Sequence, residues 1–337
     1  MRYIRPIILC AATLALTGLA GCGSQGDEPD SESGSPLCFS ASVGDESRAP
    51  VAASDFSAAG SAFRVWATMH SVDNGSDVTT VFDGTEVTSD GKGVWSYDGV
   101  QYWFPMQTYN FRAIWPASAE GVTFAPAAGE NASLAVKDFD VRSGIDLMAA
   151  SDRREIAKAG EEAAVALKFR HLLTRVSFRG RSDESLLGRG RRVILLSAAI
   201  YGVAVTGTWT GSDGKGAWTT GSPAGSAEVP VYKVEFPDGL ELSTEGTDIF
   251  TGKDVIMAIP QVVPSEARIV IECRYNVGGA HTFTFEAEFS TADAQTEWKA
   301  GSSLRYPFTV ASGVFFSTPD VADWVEIPVD SPDFKIE

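Results

Sequence analysis

Along most of this chain apolar residues recur at every second position, the period of a half-buried strand rather than of a helix. In LCFSASV (residues 37–43) Leu37, Phe39, Ala41 and Val43 share one face, and Cys38, Ser40 and Ser42 the other. AFRVWATM (62–69) repeats the pattern with Phe63, Val65, Ala67 and Met69. VWSYDGVQYWFP (94–105) predicts two short strands about Asp98-Gly99, a pair suited to a tight hairpin turn. YNFRAIWP and GVTFAP each close on proline, and ASLAVKDFDV and IDLMAAS end the first half.

DRREIAKAGEEAA (152–164) then breaks the pattern with charge and alanine, reading as a short helix or a linker, and the domain boundary is placed here. In VALKFRHLLTRVSFRG (165–180) Leu167, Phe169, His171 and Leu173 share one parity, and Val176 and Phe178 the other, a shift that predicts a β-bulge. RRVILLSAAIYGVAV (191–205) is nearly continuous apolar, as in a doubly buried strand or two abutting strands. TWTGSDGKGAW (208–218) predicts a glycine-rich loop between strands, and DVIMAIPQ a strand stopped at Pro260. The clearest hairpin pairs ARIVIECRY, with Ile269, Ile271, Cys273 and Tyr275 inward, with HTFTFEAEF, with Phe283, Phe285, Ala287 and Phe289 inward. Regular strands with little helix predict an all-β protein of two tandem β-sandwich domains, residues 37–157 and 158–337.

Ahead of these strands lies a different kind of segment. Arg2 and Arg5 precede an apolar run from Ile7 to about Leu19, the layout of a secretory signal. It ends Leu19-Ala20-Gly21-Cys22, which resembles a bacterial lipobox; the resemblance implies cleavage after residue 21 and a diacylglycerol thioether on Cys22. Each buried methylene contributes about 0.8 kcal/mol and one acyl chain holds only marginally, so a multiply acylated cysteine suits an anchor. The tract that follows, to Pro36, is rich in Gly, Ser, Asp, Glu and Pro, and reads as a flexible tether.

Composition narrows the function. The formal net charge over 337 residues is −17, and loss of residues 1–21 removes two more positive charges. Such a surface is repelled by phosphate backbones, so nucleic acid is excluded as a partner. Of the four cysteines, Cys10 leaves with the signal and Cys22 is the anchor; Cys38 and Cys273, on faces of opposite polarity, are expected to be unpaired thiols. The three histidines, His70, His171 and His281, have no metal-ligand spacing, and His171 reads as a packed core residue. GSDGKG (211–216) lacks P-loop spacing, no GxSxG elbow occurs, and Asp83 and Asp90 in DGTEVTSDGKG lack EF-hand spacing, so that stretch reads as a solvated loop. No cofactor and no enzymatic activity are expected. Trp103, Trp115, Trp209 and Trp218 read as sandwich core, with a sugar-stacking platform as the alternative.

Taken in order, these residues resemble the fimbrillin (Mfa-like) lipoproteins, subunits of surface fimbriae in anaerobic bacteria. The lipobox at Cys22, LCFSASV, an Arg48-Ala49 step, IWP, VTFAP, DLMAAS, the Leu-x-Phe-x-His of VALKFRH, IMAIPQ and WKAGSSLRYPFTV carry the resemblance. It implies transthyretin-like sandwiches and an outer-membrane, surface location. It also implies an assembly mechanism: an Arg-specific protease cuts after Arg48, the strand bearing Leu37, Phe39, Ala41 and Val43 departs, and a C-terminal strand of a neighbouring fimbrial subunit fills the groove. The candidate donor is DWVEIPV, with Val325, Ile327 and Val329 on one face and Pro328 on the other; DSPDFKIE beyond it is polar but for Phe334 and Ile336. The alternative function is a tip adhesin or surface lipoprotein that binds glycans or a host protein.

Overall fold

The computed structural model describes residues 35–43, 53–127, 132–158, 163–212, 215–221, 229–251, 255–276, 280–289 and 297–323. The first strands in chain order are β1 (Phe39–Val43), β2 (Ala62–Ser71), β3 (Thr79–Ser89), β4 (Trp95–Tyr97), β5 (Gln107–Trp115), β6 (Val122–Ala125), β7 (Ser133–Asp140), β8 (Met148–Ile156), β9 (Val165–His171), β10 (Thr174–Ser182), β11 (Val193–Tyr201) and β12 (Thr206–Ser212). There follow β13 (Lys215–Thr220), β14 (Tyr232–Glu241), β15 (Thr247–Ile249), β16 (Ile256–Ala258), β17 (Gln261–Val262), β18 (Arg268–Asn276), β19 (Ala280–Glu288), β20 (Glu297–Trp298), β21 (Ser302–Val310), β22 (Val314–Phe316) and β23 (Asp320–Asp323). Helix is confined, among the described residues, to α1 (Ala53–Phe56), α2 (Glu184–Leu187) and one 3₁₀ turn.

The all-β class is as expected, but the arrangement is not a plain tandem of two sandwiches. The first unit is a closed sheet in the order β1-β4-β3-β2-β5-β8-β9, with β1 pairing β9 to complete the ring. Its interior is aromatic: Phe39, Phe63, Phe82, Trp95, Trp103, Tyr109, Phe111 and Phe169 are all buried there. Closure gives each strand of the ring a neighbour on both sides, and the alternating residues fill the lumen. The second unit packs the sheet β15-β10-β21-β22, with β16 and β23 alongside, on the sheet β14-β11-β18-β19. Its core joins Val176, Phe178, Tyr306 and Phe308 of the former to Leu195, Ile269, Ile271 and Cys273 of the latter.

A third sheet, β13-β12-β7-β6, takes two strands from each half of the chain. Trp209 of β12 lies in register with Val136 of β7, and the Trp218 indole donates to the Leu172 carbonyl at 2.7 Å. Its core also holds Trp66, Ile114 and Ala149, whose strands belong to the barrel. Pairing thus crosses the expected division after residue 157 twice, through this sheet and through β9.

Four local expectations are corrected. The parity shift after His171 is not a bulge: β9 ends there, buried Leu172 and Leu173 cross between units, and β10 begins a new sheet. Asp152–Ile156 is neither helix nor linker but the second half of β8, in register with β5. The residues after Gly99 do not fold back on β4; Tyr102 bridges Pro36 instead. His171 is buried, its Nδ1 3.1 and 3.0 Å from the two carboxylate oxygens of Asp146. Cys273 is a free buried thiol, whereas Cys38 is disulfide-bonded, which corrects the expectation of two unpaired thiols.

Candidate assembly groove

The residues that close the barrel are those whose alternation is plainest in the sequence. Leu37 and Phe39 are 1% and 5% exposed, Ala41 and Val43 pack partly buried on the same core, and Ser40 and Ser42 face outward. Phe39 is the centre of the seat. Its ring lies 6.1 Å from Phe63, 5.5 Å from Phe82, 5.8 Å from Tyr97 and 6.1 Å from Phe111, so it touches β2, β3, β4 and β5 at once. Three of these contacts are edge-on, the favoured geometry for aromatic pairs.

The backbone of β1 is held unequally on its two sides. Toward β9 the ladder is parallel and runs the whole strand, from Phe39↔Val165 to Val43↔Phe169, and the Val165 amide donates to the Cys38 carbonyl at 2.8 Å. Toward β4 it makes a single antiparallel pair, Phe39↔Trp95. The lead-in is tied further: the Leu37 amide donates to the Gln101 carbonyl at 2.7 Å and the Trp103 amide to that of Ser35 at 3.0 Å. The Tyr97 hydroxyl donates to the Leu37 carbonyl at 2.9 Å and accepts from the Gln101 amide; burial raises its pKa above the ordinary phenol value. Withdrawal of β1 therefore bares an aromatic trough between two strand edges, a strong template for another strand.

The chain beyond the first loop is moored separately. Phe56 of α1 is buried against Trp95, Trp115 and Phe169, at 5.3, 5.9 and 5.3 Å between ring centroids.

Of the residues singled out from sequence, Leu37, Phe39, Ala41 and Val43 are brought together on one wall. Cys22, Arg48, Ala49, Val325, Ile327 and Val329 lie outside the described residues. The tryptophans do not form a sugar platform: Trp103 and Trp209 are buried, and Trp115 and Trp218 are half-buried against the first and third cores. Asp83 sits on β3 opposite Trp66, while Asp90 closes the next turn, its carboxylate accepting from the Lys92 and Val94 amides and its pKa lowered chiefly by the former. Among the described residues no group of three or more His, Cys, Asp or Glu is placed to hold a metal, and no helix is long and apolar enough to cross a membrane. Sequence reasoning missed the clamp by Tyr97 and the role of β9, although VALKFRH alternates without a fault and buries Val165, Leu167, Phe169 and His171.

A closed β-ring, a two-sheet sandwich and a sheet shared by the two halves of the chain define an all-β protein. Residues 47–324 match the family model described as fimbrillin-like, and the chain belongs to that family. Among solved structures it is similar to a fimbrial protein from Bacteroides vulgatus, with a TM-score of 0.63 and 14% identity over 86% of this chain and 99% of that one. It is also similar to a putative cell adhesion protein from Bacteroides ovatus, with a TM-score of 0.54 and 12% identity over 88% of this chain and 100% of that one. No curated protein matches the chain.

Proposed function

We propose that this chain is a structural subunit of surface fimbriae, made as a lipid-anchored precursor and assembled by protease-triggered strand exchange. The anchor is Cys22, at the outer membrane; the cut falls after Arg48 by an Arg-specific protease; the released strand is β1; a strand from another fimbrial subunit takes its place. The observation that carries the reading is the seat of β1: a strand at the chain's beginning fills an aromatic trough, yet is bonded along its full length on one side only. A replacement burying four or five alternate side chains gains roughly 6–15 kcal/mol before ordering costs, at about 1.5–3 each.

The test is digestion of the full-length precursor with an Arg-specific protease, followed by mass and size analysis. Loss of the segment through Arg48 with a ladder of oligomers supports the reading; a precursor that resists cutting there, or is cut and keeps β1, removes it. Membrane-extracted precursor should carry diacylglycerol mass on Cys22.

A further inference from the structure

The place of Phe39 constrains which strand can succeed β1. Its ring fills a pocket walled by Phe63, Phe82, Tyr97 and Phe111, one aromatic from each of four consecutive strands around the ring. On the same wall Leu37 comes before it and the small Ala41 after it, so the groove is moulded to a large, aromatic, small, medium order at alternate positions. The candidate donor of this chain does not offer that order. With Val325, Ile327 and Val329 facing in, every register brings an aliphatic or polar side chain to the aromatic pocket. Turning Trp324 inward brings Glu326 and Pro328 to the places of Ala41 and Val43, which buries a carboxylate. Turning Phe334 inward brings Pro332 to that of Leu37 and Ile336 to that of Ala41.

We propose that the Phe39 pocket is the specificity determinant of the groove, and that the strand it accepts comes from a different subunit, one that carries an aromatic residue at the matching position. The proposal rests on the strand-exchange reading. An unfilled aromatic pocket behaves as a core cavity, which makes the anchor dominant over the flanking contacts. The chain is then an acceptor that its own C-terminal run fills poorly, and identical copies do not chain efficiently by themselves.

The experiment uses the full-length protein cut after Arg48 and synthetic peptides, with binding read by labelled-peptide anisotropy and by amide protection of Val165–Phe169. The peptide of residues 35–43, carrying Cys38→Ser against oxidation, should bind and restore protection. Its Phe39→Ala form should bind about a hundredfold more weakly or worse, and Phe39→Tyr within tenfold. The peptide of residues 323–331 should bind at least tenfold more weakly than 35–43, and its Ile327→Phe form should recover most of the difference. Equal binding by the Phe39→Ala peptide, or by unaltered 323–331, overturns the pocket proposal and leaves strand exchange standing. If neither 35–43 nor 323–331 binds the cut protein, strand exchange fails and the proposal fails with it.

Discussion

Phe39 and Val165 are register partners in a parallel ladder, although one lies in the first strand and the other in the ninth. The other neighbour of β9, β8, reaches only Arg170 and His171. Among the described residues, 165–169 therefore pair across strands with β1 alone, and the Val165 amide donates to the Cys38 carbonyl. In the intact precursor these amides should exchange slowly. After cleavage at Arg48 and release of the strand they should exchange faster by orders of magnitude, while β2 and β5, paired on both sides, stay protected. Hydrogen exchange by mass spectrometry checks this; protection of 165–169 that outlasts loss of residues 35–43 contradicts the pairing.

Phe39 also bears on the stability of the uncut chain. Truncation to alanine empties the space between four rings that belong to four different strands. Phe39→Ala should destabilise the precursor by about 3–5 kcal/mol in urea unfolding. Ser40→Ala, two atoms' change on the exposed face of the same strand, should stay within about 0.5 kcal/mol.

How much of this was legible beforehand follows from what alternation can encode. It marks the face of a strand, so the inward sets Leu37/Phe39 and Ile269/Ile271/Cys273 are where the sequence puts them. The β18–β19 hairpin forms as expected and sets the two inward faces opposite each other, Cys273 against Phe283. Yet Phe283 is 41% exposed, on β19 at the edge of its sheet. Alternation says nothing of partners. A parallel pair of β1 with β9, and a sheet drawn from β6, β7, β12 and β13, are long-range choices that no local signal carries. The same limit hid the groove's second wall, while its first wall could be read directly.

The sheet shared by the two halves has its own weak point. An ideal Cβ on Gly216 of β13 falls 2.3 Å from the Nε1 of Trp209, within the indole that fastens β12 to β7. The ring is 3% exposed and the obstruction involves several of its atoms, so no small rotation relieves it. Gly216→Ala should cost about 1–3 kcal/mol. Trp209→Ala in the same background should cancel most of the added cost, as a double-mutant cycle in chemical denaturation would show.

In the second core the Trp298 indole donates to the Tyr306 hydroxyl at 2.9 Å, both side chains being buried. Burial pushes the Tyr306 phenol up to about 12, the bond from Trp298 opposing that rise. Tyr306→Phe keeps the ring stack on Phe178 but strands the indole N–H, and should destabilise by about 1–3 kcal/mol. Adding Trp298→Phe should recover part of the loss, since both partners of the bond are then apolar.

Cys273 sits on β18 between Leu195 of β11 and Phe283 of β19, with no exposed surface. Burial, with a smaller contribution from the Glu272 carboxylate, pushes its pKa from 9.0 to about 11. The thiolate is the reactive form, so at pH 8 the folded chain should leave this cysteine unlabelled by maleimide, and unfolding in guanidinium should release it. The linkage has a definite sign. Below about pH 9 the thiol is protonated in both states and contributes no slope. Between about 9 and 11 the unfolded chain has lost the proton that the folded chain keeps, so stability falls as pH rises. Buried tyrosines add slopes of the same sign at higher pH, and comparison with Cys273→Ala isolates the thiol. The difference in stability between the two proteins should be flat up to about pH 9 and shrink toward 11. A difference that stays constant across that window would place the thiolate in contact with solvent in the folded state.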